Sequence, residues 1–356
     1  MKTPLLSIVV PIYNAEKSIG NLVSRITEQE VSDFELLLID DGSKDSSSAI
    51  LKKFEKQDDR VRVFSQKNSG QSVARNLGIS KSRGKYLMLF DADDDINLAI
   101  IEKMLAKIID DNVDLVTCEV LYNYIKNSKV ISQTHSFTQP VLTQRANESF
   151  AQYVVRLLGT DGRLYSLWNK IYRMDLIRKH SLAFETGLNF GEDLMFNLDY
   201  LNHVKKMSFL NEPLYIYNFN LAENTSGKSS LVYENRIKNY QEVVKFAGKN
   251  PSPELADLLA WIKYYWFYSF ALALCASPLS KREKVKRLRD ALTIDPLPKP
   301  GSRQYIGKSK RRMESIFYSL RNKPGLIYRI IRTLNFFKNN RLFATTWRKF
   351  AGKVLR

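Results

Sequence analysis

Leu6-Ser7-Ile8-Val9-Val10-Pro11 opens the chain with a nearly continuous apolar run closed by a proline. Apolar residues at consecutive positions read as a strand buried on both faces, and the proline predicts its end. Moving outward, residues 16–30 read as a helix. Glu35-Leu36-Leu37-Leu38-Ile39 is a second buried strand, ending in Asp40-Asp41-Gly42-Ser43. Asp45 or Ser46 can cap the next helix, over 46–57. Val61-Arg62-Val63-Phe64 is a third strand, Ser72–Ser80 a helix, and Tyr86–Phe90 a fourth strand ending in Asp91. Strands that alternate with helices predict an α/β class with a parallel sheet. In such sheets ligands sit at the carboxyl ends of the strands. Asp40-Asp41 and Asp91-Ala92-Asp93 both fall there.

Residues 116–230 are less regular. They mix short strands (Leu115–Val120, Leu214–Tyr217) with helices over 149–158 and 193–203. From about 231 onward helical patterns dominate. Asp295 to Arg303 is rich in proline and reads as a linker. Beyond it Leu326, Ile327, Ile330, Ile331, Leu334 and Phe337 share one helical face, with Arg329 and Arg332 opposite. Phe343, Trp347, Phe350 and Val354 make a second candidate face. No internal repeat is visible. The expected organisation is an α/β domain over 1–230, in two parts (1–115 and 116–230), then a helical, strongly basic region over 231–356.

The chain has 356 residues, 44% hydrophobic and 26% charged, which excludes a disordered or collagenous protein. Two cysteines, Cys118 and Cys275, cannot build a disulfide framework, and no Cys/His spacing suits a metal. A reducing compartment fits that usage. The net charge is +18, and residues 281–356 hold 22 basic and 4 acidic residues. The first 280 residues carry 33 of each sign, so the whole excess lies in the tail. That is a separate electrostatic device for an anionic partner. No segment reads as transmembrane. The most apolar stretch, Trp261 to Leu279, is interrupted by Lys263, and its core Tyr264–Ala276 falls short of the about 20 residues that span a bilayer. The N-terminus lacks the cleavage site of a signal peptide. The expectation is a cytoplasmic protein, peripheral at most on the inner face of the cell membrane.

Five segments occur in order: 7–14 (Ser-Ile-Val-Val-Pro-Ile-Tyr-Asn), 39–43 (Ile-Asp-Asp-Gly-Ser), 68–76 (Asn-Ser-Gly-Gln-Ser-Val-Ala-Arg-Asn), 90–94 (Phe-Asp-Ala-Asp-Asp) and 191–196 (Gly-Glu-Asp-Leu-Met-Phe). Each alone is weak. As an ordered set over roughly residues 5–220 they resemble the inverting family 2 glycosyltransferases of the GT-A fold. Nothing in the resemblance covers 231–356.

The resemblance makes Asp91-Ala92-Asp93 the DxD signature of a nucleotide-sugar site. Alternation along an extended segment puts Asp91 and Asp93 on one side. A hard cation, Mn²⁺ or Mg²⁺, held by carboxylate oxygen can stabilise a departing diphosphate. By resemblance Asp91 contacts ribose or metal-bound water, and Asp93 ligates the metal. Asp41 accepts the N3–H of uracil, while Asp40 holds the turn. Pro11 and Tyr13 flank the base, with a structural role for Tyr13 left open. Asn68, Gly70 and Arg75 follow the third strand, where a cation near a helix start suits phosphate or uracil oxygens. Asp193 matches the base that takes the acceptor's proton, and Glu192 binds the sugar or positions the loop. Trp168 is either a platform for a sugar ring or a core residue. Lys228, in the loop Tyr217–Ser229, would meet the diphosphate. That loop has no histidine, so a second protein ligand for the metal is in doubt. His180 and His203 read as surface or structural residues.

The resemblance thus implies a metal-dependent enzyme that moves a sugar from a UDP-sugar to a hydroxyl of a cell-surface polysaccharide, teichoic acid or lipid-linked glycan. A sugar-phosphate nucleotidyltransferase would need a Gly-rich basic loop after the first strand, and Pro11–Glu16 lacks one. A membrane-associated scaffold that binds nucleotide sugar without turnover is the non-enzymatic alternative. The basic tail fits an amphipathic helix resting on anionic lipid. The other reading packs its apolar faces on the enzyme core or on a second subunit. No signature of nucleic-acid binding accompanies the charge.

Overall fold

Phe34–Asp40 is buried at every residue, and Leu6–Ile12 at every residue but Pro11, as two-faced burial of apolar strands requires. The computed structural model describes residues 3–126, 129–135, 143–160, 164–188, 191–220, 233–248, 251–300 and 308–339. Chain order runs β1 (Leu6–Ile12), α1 (Ile19–Thr27), β2 (Phe34–Asp40), α2 (Ser47–Gln57), β3 (Val61–Ser65), α3 (Gln71–Lys81) and β4 (Tyr86–Leu89). Then come β5 (Asp95–Ile96), α4 (Ile100–Asp110), β6 (Leu115–Lys126), β7 (Lys129–His135) and α5 (Phe150–Thr160). They are followed by β8 (Lys170–Arg173), α6 (Met174–Lys179), α7 (Glu192–Leu201) and β9 (Met207–Asn220). Five further helices are α8 (Tyr233–Ala247), α9 (Pro253–Ala276), α10 (Lys281–Ile294), α11 (Lys308–Leu320) and α12 (Pro324–Asn339).

Two compact units divide the chain: Met1–Thr143 with Arg163–Asn224, and Gln144–Gly162 with Thr225–Arg356. The expected boundary near 230 differs from this division at residues 144–162. Their helix α5 packs on α9 of the second unit, and Gly159 lies against Leu258 and Ile262 there.

The first unit is a three-layer α/β structure around one sheet, ordered β3-β2-β1-β4-β8-β6-β9-β5, with β7 paired to β6. β1, β2, β3 and β4 are mutually parallel. Strand β8 enters antiparallel between β4 and β6, and β9 runs parallel to β6. The chain passes outward from β1 to β3 and returns to β4 on the other side of β1. That reversal opens a crevice at the carboxyl ends of β1 and β4, where α/β sheets bind ligands.

The four parallel strands and their helices lie where the sequence places them, within a residue or three. One strand runs further: β1 passes through Pro11 to Ile12. The reason is local. Pairing of β1 with β4 ends at Val9, so Pro11 pairs only with β2 and its missing N–H breaks nothing on the β4 side. Asp45 serves as the start signal of α2, its carboxylate accepting from Ser47 N at 3.0 Å.

In the second unit α9 is the central helix. Ser252 caps it, accepting from Leu255 N at 3.3 Å, and Pro253 occupies its first turn. With 24 residues it is long and apolar enough to cross a membrane by length and composition alone, which corrects the shorter core expected from the sequence. Half of its apolar window is buried inside the unit. Lys263, read as an interruption, is paired with Asp295 at 2.5 Å. Tyr264, Phe267, Phe270 and Leu274 of α9 form a core with Leu288, Phe317, Ile327 and Ile331. Two expectations change here. The stretch 295–300 is packed rather than free: Leu297 is buried and the Pro298 carbonyl accepts from the Tyr264 hydroxyl. Of the expected apolar face of α12, Ile327 and Ile331 are buried in the unit's own core beside Tyr328, Ile330 is half-buried and Leu326 is exposed. Phe343, Trp347, Phe350 and Val354 lie outside the described residues, as do the side chains of Leu334 and Phe337.

Candidate active site

Asp41 follows β2 in a buried position and binds the loop that follows β3. Its Oδ1 accepts from Gln66 Nε2 at 2.7 Å and Ser69 N at 2.8 Å, and its Oδ2 from Gly70 N at 2.9 Å. Asp40 holds the turn as expected, accepting from Ser43 N at 2.9 Å. Gly42 has φ +74°, and a Cβ there would stand 2.8 Å from Asn68 N. The turn 40–43 and the loop 66–70 are therefore joined backbone to backbone. Gly70 has φ +91° and ψ 159°, a region open essentially to glycine alone, and it starts α3 with no side-chain cap. Asn68 is exposed on this loop, Pro11 is half-buried, and Tyr13 is 48% exposed at the crevice mouth.

Arg75 lies on the face of α3 turned to the sheet and is 2% exposed. One guanidinium reaches three carboxylates: Asp91 at 2.8 Å, Asp193 at 3.1 Å and Glu192 at 3.7 Å. Burial works against its charge, but Asp193, Asp91 and Glu192 outweigh that and raise its pKa. Its Nε, Glu192 Oε2 and Ser72 Oγ are buried with no hydrogen-bond partner, three polar atoms a ligand could complete. The Arg75 cation also stands 5.4 Å over the Phe184 ring.

The acidic turn after β4 divides its labour. Asp91 is partly exposed beside Arg75. Ala92 turns its methyl into the core, so it can offer a ligand only its backbone. Asp94 is buried, accepting from the Tyr215 hydroxyl and Asn218 N, each at 2.9 Å, and so ties β9 to the turn. Burial first, then Asp93 and Asp91, push its pKa well above the ordinary carboxylate range. Asp93 has exposed surface, and partial desolvation, with the Asp91 charge added, raises its pKa. Such mutually repelling oxygens fit a hard divalent cation. Among the described residues there is no group of three or more His, Cys, Asp or Glu side chains that could hold a metal ion.

Gly191, in a left-handed conformation, turns the chain into α7, whose first residues are Glu192 and Asp193. Gln71 donates through Nε2 to Glu192 Oε1. Desolvation raises the pKa of Glu192. Desolvation also dominates Asp193: Glu192 and Asp91 add to it, Arg75 and Lys170 oppose it, and the carboxyl is pushed up to about 7. One turn on, Asn197 Nδ2 donates to the carbonyls of Leu164, Tyr165 and Ser166 at 2.9, 3.2 and 3.0 Å.

The structure brings Asp41, Asn68, Arg75, Asp91, Asp93, Glu192 and Asp193 to one end of the sheet. It corrects Trp168. That side chain is 6% exposed within the main core and stacks on Tyr215 at 4.5 Å and 14°, and on Tyr217 at 5.4 Å. Its rings back the acidic turn and cannot serve as a sugar platform. Lys228 lies outside the described residues. His180 and His203 stack on each other at 3.6 Å, a structural role. The sequence reading passed over Gln71, Asp94, Lys170 and Asn197. Asn197 had a signal, its i+4 spacing from Asp193, and Lys170 stands two residues after Trp168. Gln71 had none beyond its place in the third motif.

A family model described as "Glycosyl transferase family 2" matches residues 7–181. The "uncharacterized glycosyltransferase EpsJ" of Bacillus subtilis (strain 168) is 28% identical over 304 residues, covering 82% of this chain and 84% of that protein. Glycosyltransferase GlyG of Streptococcus pneumoniae serotype 4 is 32% identical over 219 residues, 60% of this chain and 70% of GlyG. Among solved structures, residues 1–349 of S. aureus TarS in complex with UDP-GlcNAc match with a TM-score of 0.65 at 20% identity, covering 92% of this chain and 90% of that one. At that identity the likeness establishes the shared α/β fold.

Proposed function

The chain belongs to glycosyl transferase family 2, and from that premise we propose that it moves a sugar, with inversion, from a UDP-sugar onto a hydroxyl of a cell-surface polysaccharide, teichoic acid or lipid-linked glycan. The observation that carries this reading is Arg75, whose single guanidinium binds Asp91 with one nitrogen and Asp193 with another. The carboxylate expected to act as base therefore lies within a sugar ring's reach of the carboxylate expected at the nucleotide.

On this reading Pro11, Tyr13, Asn68 and Asp41 surround the base and ribose. Three of the roughly four acceptor sites of the Asp41 carboxylate are taken by the loop, which leaves one for the N3–H of uracil. Asp93 would hold Mn²⁺ or Mg²⁺, with Asp91 beside it; when bound, the cation supplies Lewis-acid stabilisation of the departing diphosphate. Glu192, with one free buried oxygen, accepts from a donor-sugar hydroxyl. Asp193 takes the proton of the acceptor hydroxyl, and a carboxyl with a pKa near the working pH is suited to that transfer. Lys228 would meet the diphosphate by the family resemblance of its loop. The test is UDP release from a panel of UDP-sugars, with and without EDTA. Release that stops on chelation and returns with Mn²⁺ or Mg²⁺ supports the reading. Calorimetric UDP binding with no release from any sugar or metal would replace it with a non-catalytic binding protein.

The second unit supplies attachment. Lys281, Arg282, Lys286 and Arg289 of α10 and Lys323, Arg329 and Arg332 near or on α12 are exposed. Since Ile327 and Ile331 of the apolar face of α12 are buried in the unit's own core, the attachment we propose at the inner membrane face is electrostatic rather than insertion of that face. Vesicles containing phosphatidylglycerol should bind the protein at about 0.1 M salt, where charges act over about 10 Å, and release it near 1 M, where the range is about 3 Å. Charge reversal at Lys281, Arg282, Lys286 and Arg289 should abolish flotation. Binding that persists in high salt, or binding to soluble polyanions but not vesicles, overturns it.

A further inference from the structure

Lys170 is a charged side chain with no exposed surface, in the short strand β8 between β4 and β6. Burying an ammonium is costly unless its donors are used. Its Nζ donates to the Ser166 carbonyl and to Asn169 Oδ1 at 2.9 Å. Asn169 is itself fixed, donating to Thr117 Oγ1 and to the Cys118 carbonyl, both at 2.9 Å. The Ser166 carbonyl is shared: it also accepts from Asn197 Nδ2. Asn197 lies one turn after Asp193 on α7, and its Oδ1 accepts from the Tyr172 hydroxyl of β8 at 2.8 Å. Strand β8 and helix α7 are thus locked twice, by Tyr172 to Asn197 directly and by Lys170 to Asn197 through one carbonyl oxygen.

We propose that Lys170 is a positioning residue for Asp193: its ammonium, tied through the Ser166 carbonyl to Asn197, fixes the helix that bears the base and places a positive charge behind the carboxylate. The role rests on the functional reading above. The groups facing Asp193 are Arg75 from α3, Asp91 at the end of β4, Glu192 on α7, and Lys170 and Tyr172 from β8. Arg75 answers to three carboxylates and must share itself with an incoming donor. Lys170 lies beneath the site, where a ligand does not displace it, and it opposes the protonation of Asp193.

The test separates tether from charge and needs no donor. Lys170→Gln keeps a donor for the Ser166 carbonyl and removes the charge; Lys170→Met removes both. Each is combined with Asp193→Asn in a double-mutant cycle on denaturant unfolding of the full chain, at about pH 5 and about pH 8.5. If Lys170 keeps Asp193 ionised, the two sites couple at the higher pH by about tenfold in the folding equilibrium, the equivalent of about one pKa unit, and are additive at the lower. Additivity at both pH values overturns the electrostatic half whatever the enzyme's donor. In UDP release from the sugar the wild type uses, Lys170→Gln should lower kcat at neutral pH with KM unchanged, and the loss should be regained at higher pH. A kcat loss that no pH restores reduces Lys170 to a packing residue. A wild type that releases no UDP counts against the functional reading and leaves the cycle to decide this one. Should Lys170→Met fail to fold, Lys170→Gln carries the cycle alone.

Discussion

Asp193→Asn should lower kcat by about 10²- to 10⁴-fold, the usual worth of a general base, while UDP binds as to the wild type. The substitution is nearly isosteric. An amide oxygen can still accept from Arg75 Nη1, which Asp193 does at 3.1 Å, so the site keeps its shape and loses the proton acceptor and its charge. The pH profile sharpens the expectation. As the proposed base Asp193 must be ionised, and its carboxyl is pushed up to about 7 because desolvation, aided by Glu192 and Asp91, outweighs Arg75 and Lys170. In the wild type kcat/KM should therefore rise with pH through roughly 7, and in Asp193→Asn that limb should vanish. Stopped turnover assays across the range check both. Undiminished turnover in Asp193→Asn removes the base assignment and leaves the Asp41 end of the nucleotide site untouched, because the contacts of Asp41 run to Gln66, Ser69 and Gly70.

The sequence was legible where burial is two-faced. Leu6–Val10 and Leu36–Ile39 leave a chain no solvent-facing side, so strand and position follow from composition alone. The acidic ends of those strands were legible too, since parallel topology forces them to one edge. What stayed hidden depends on partners distant in sequence. Trp168 could be platform or core until Tyr215 and Tyr217 were seen to cover it. Lys170 is indistinguishable from a surface lysine until β8 is seen wedged antiparallel between β4 and β6. Helix α4 carries an apolar stripe at Ile100, Ile101, Met104, Leu105 and Ile108, yet follows the acidic motif so closely that the motif drew the reading. The face of α12 was visible as apolar, but periodicity does not say whether a core or a bilayer covers it.

Arg75→Met should be the most destabilising single change in the site, at about 3 kcal/mol, the low end of the 3–5 kcal/mol lost when one partner of a buried ion pair is removed. The low end applies because Asp91 and Asp193 keep about a quarter of their side-chain surface in solvent and can protonate. That escape gives the prediction its sign. A carboxyl whose folded pKa is raised favours the folded state when protonated, so its contribution is full below the unfolded pKa of roughly 3.9 and is lost as pH rises through the folded value. For Asp193 that window runs from about 4 to about 7. With Arg75 gone the opposing cation disappears, the folded pKa climbs, and more stability is lost over a window that reaches higher. The deficit of Arg75→Met in denaturant unfolding should therefore be larger near pH 8 than near pH 5. A divalent cation with UDP should restore part of it, since a second positive charge re-enters the cluster at Asp93 and Asp91. Asp193→Asn combined with Arg75→Met should also recover stability at the higher pH by deleting one of the stranded charges. A deficit equal at both pH values would mean that Arg75 matters for its packing over Phe184 rather than for its charge.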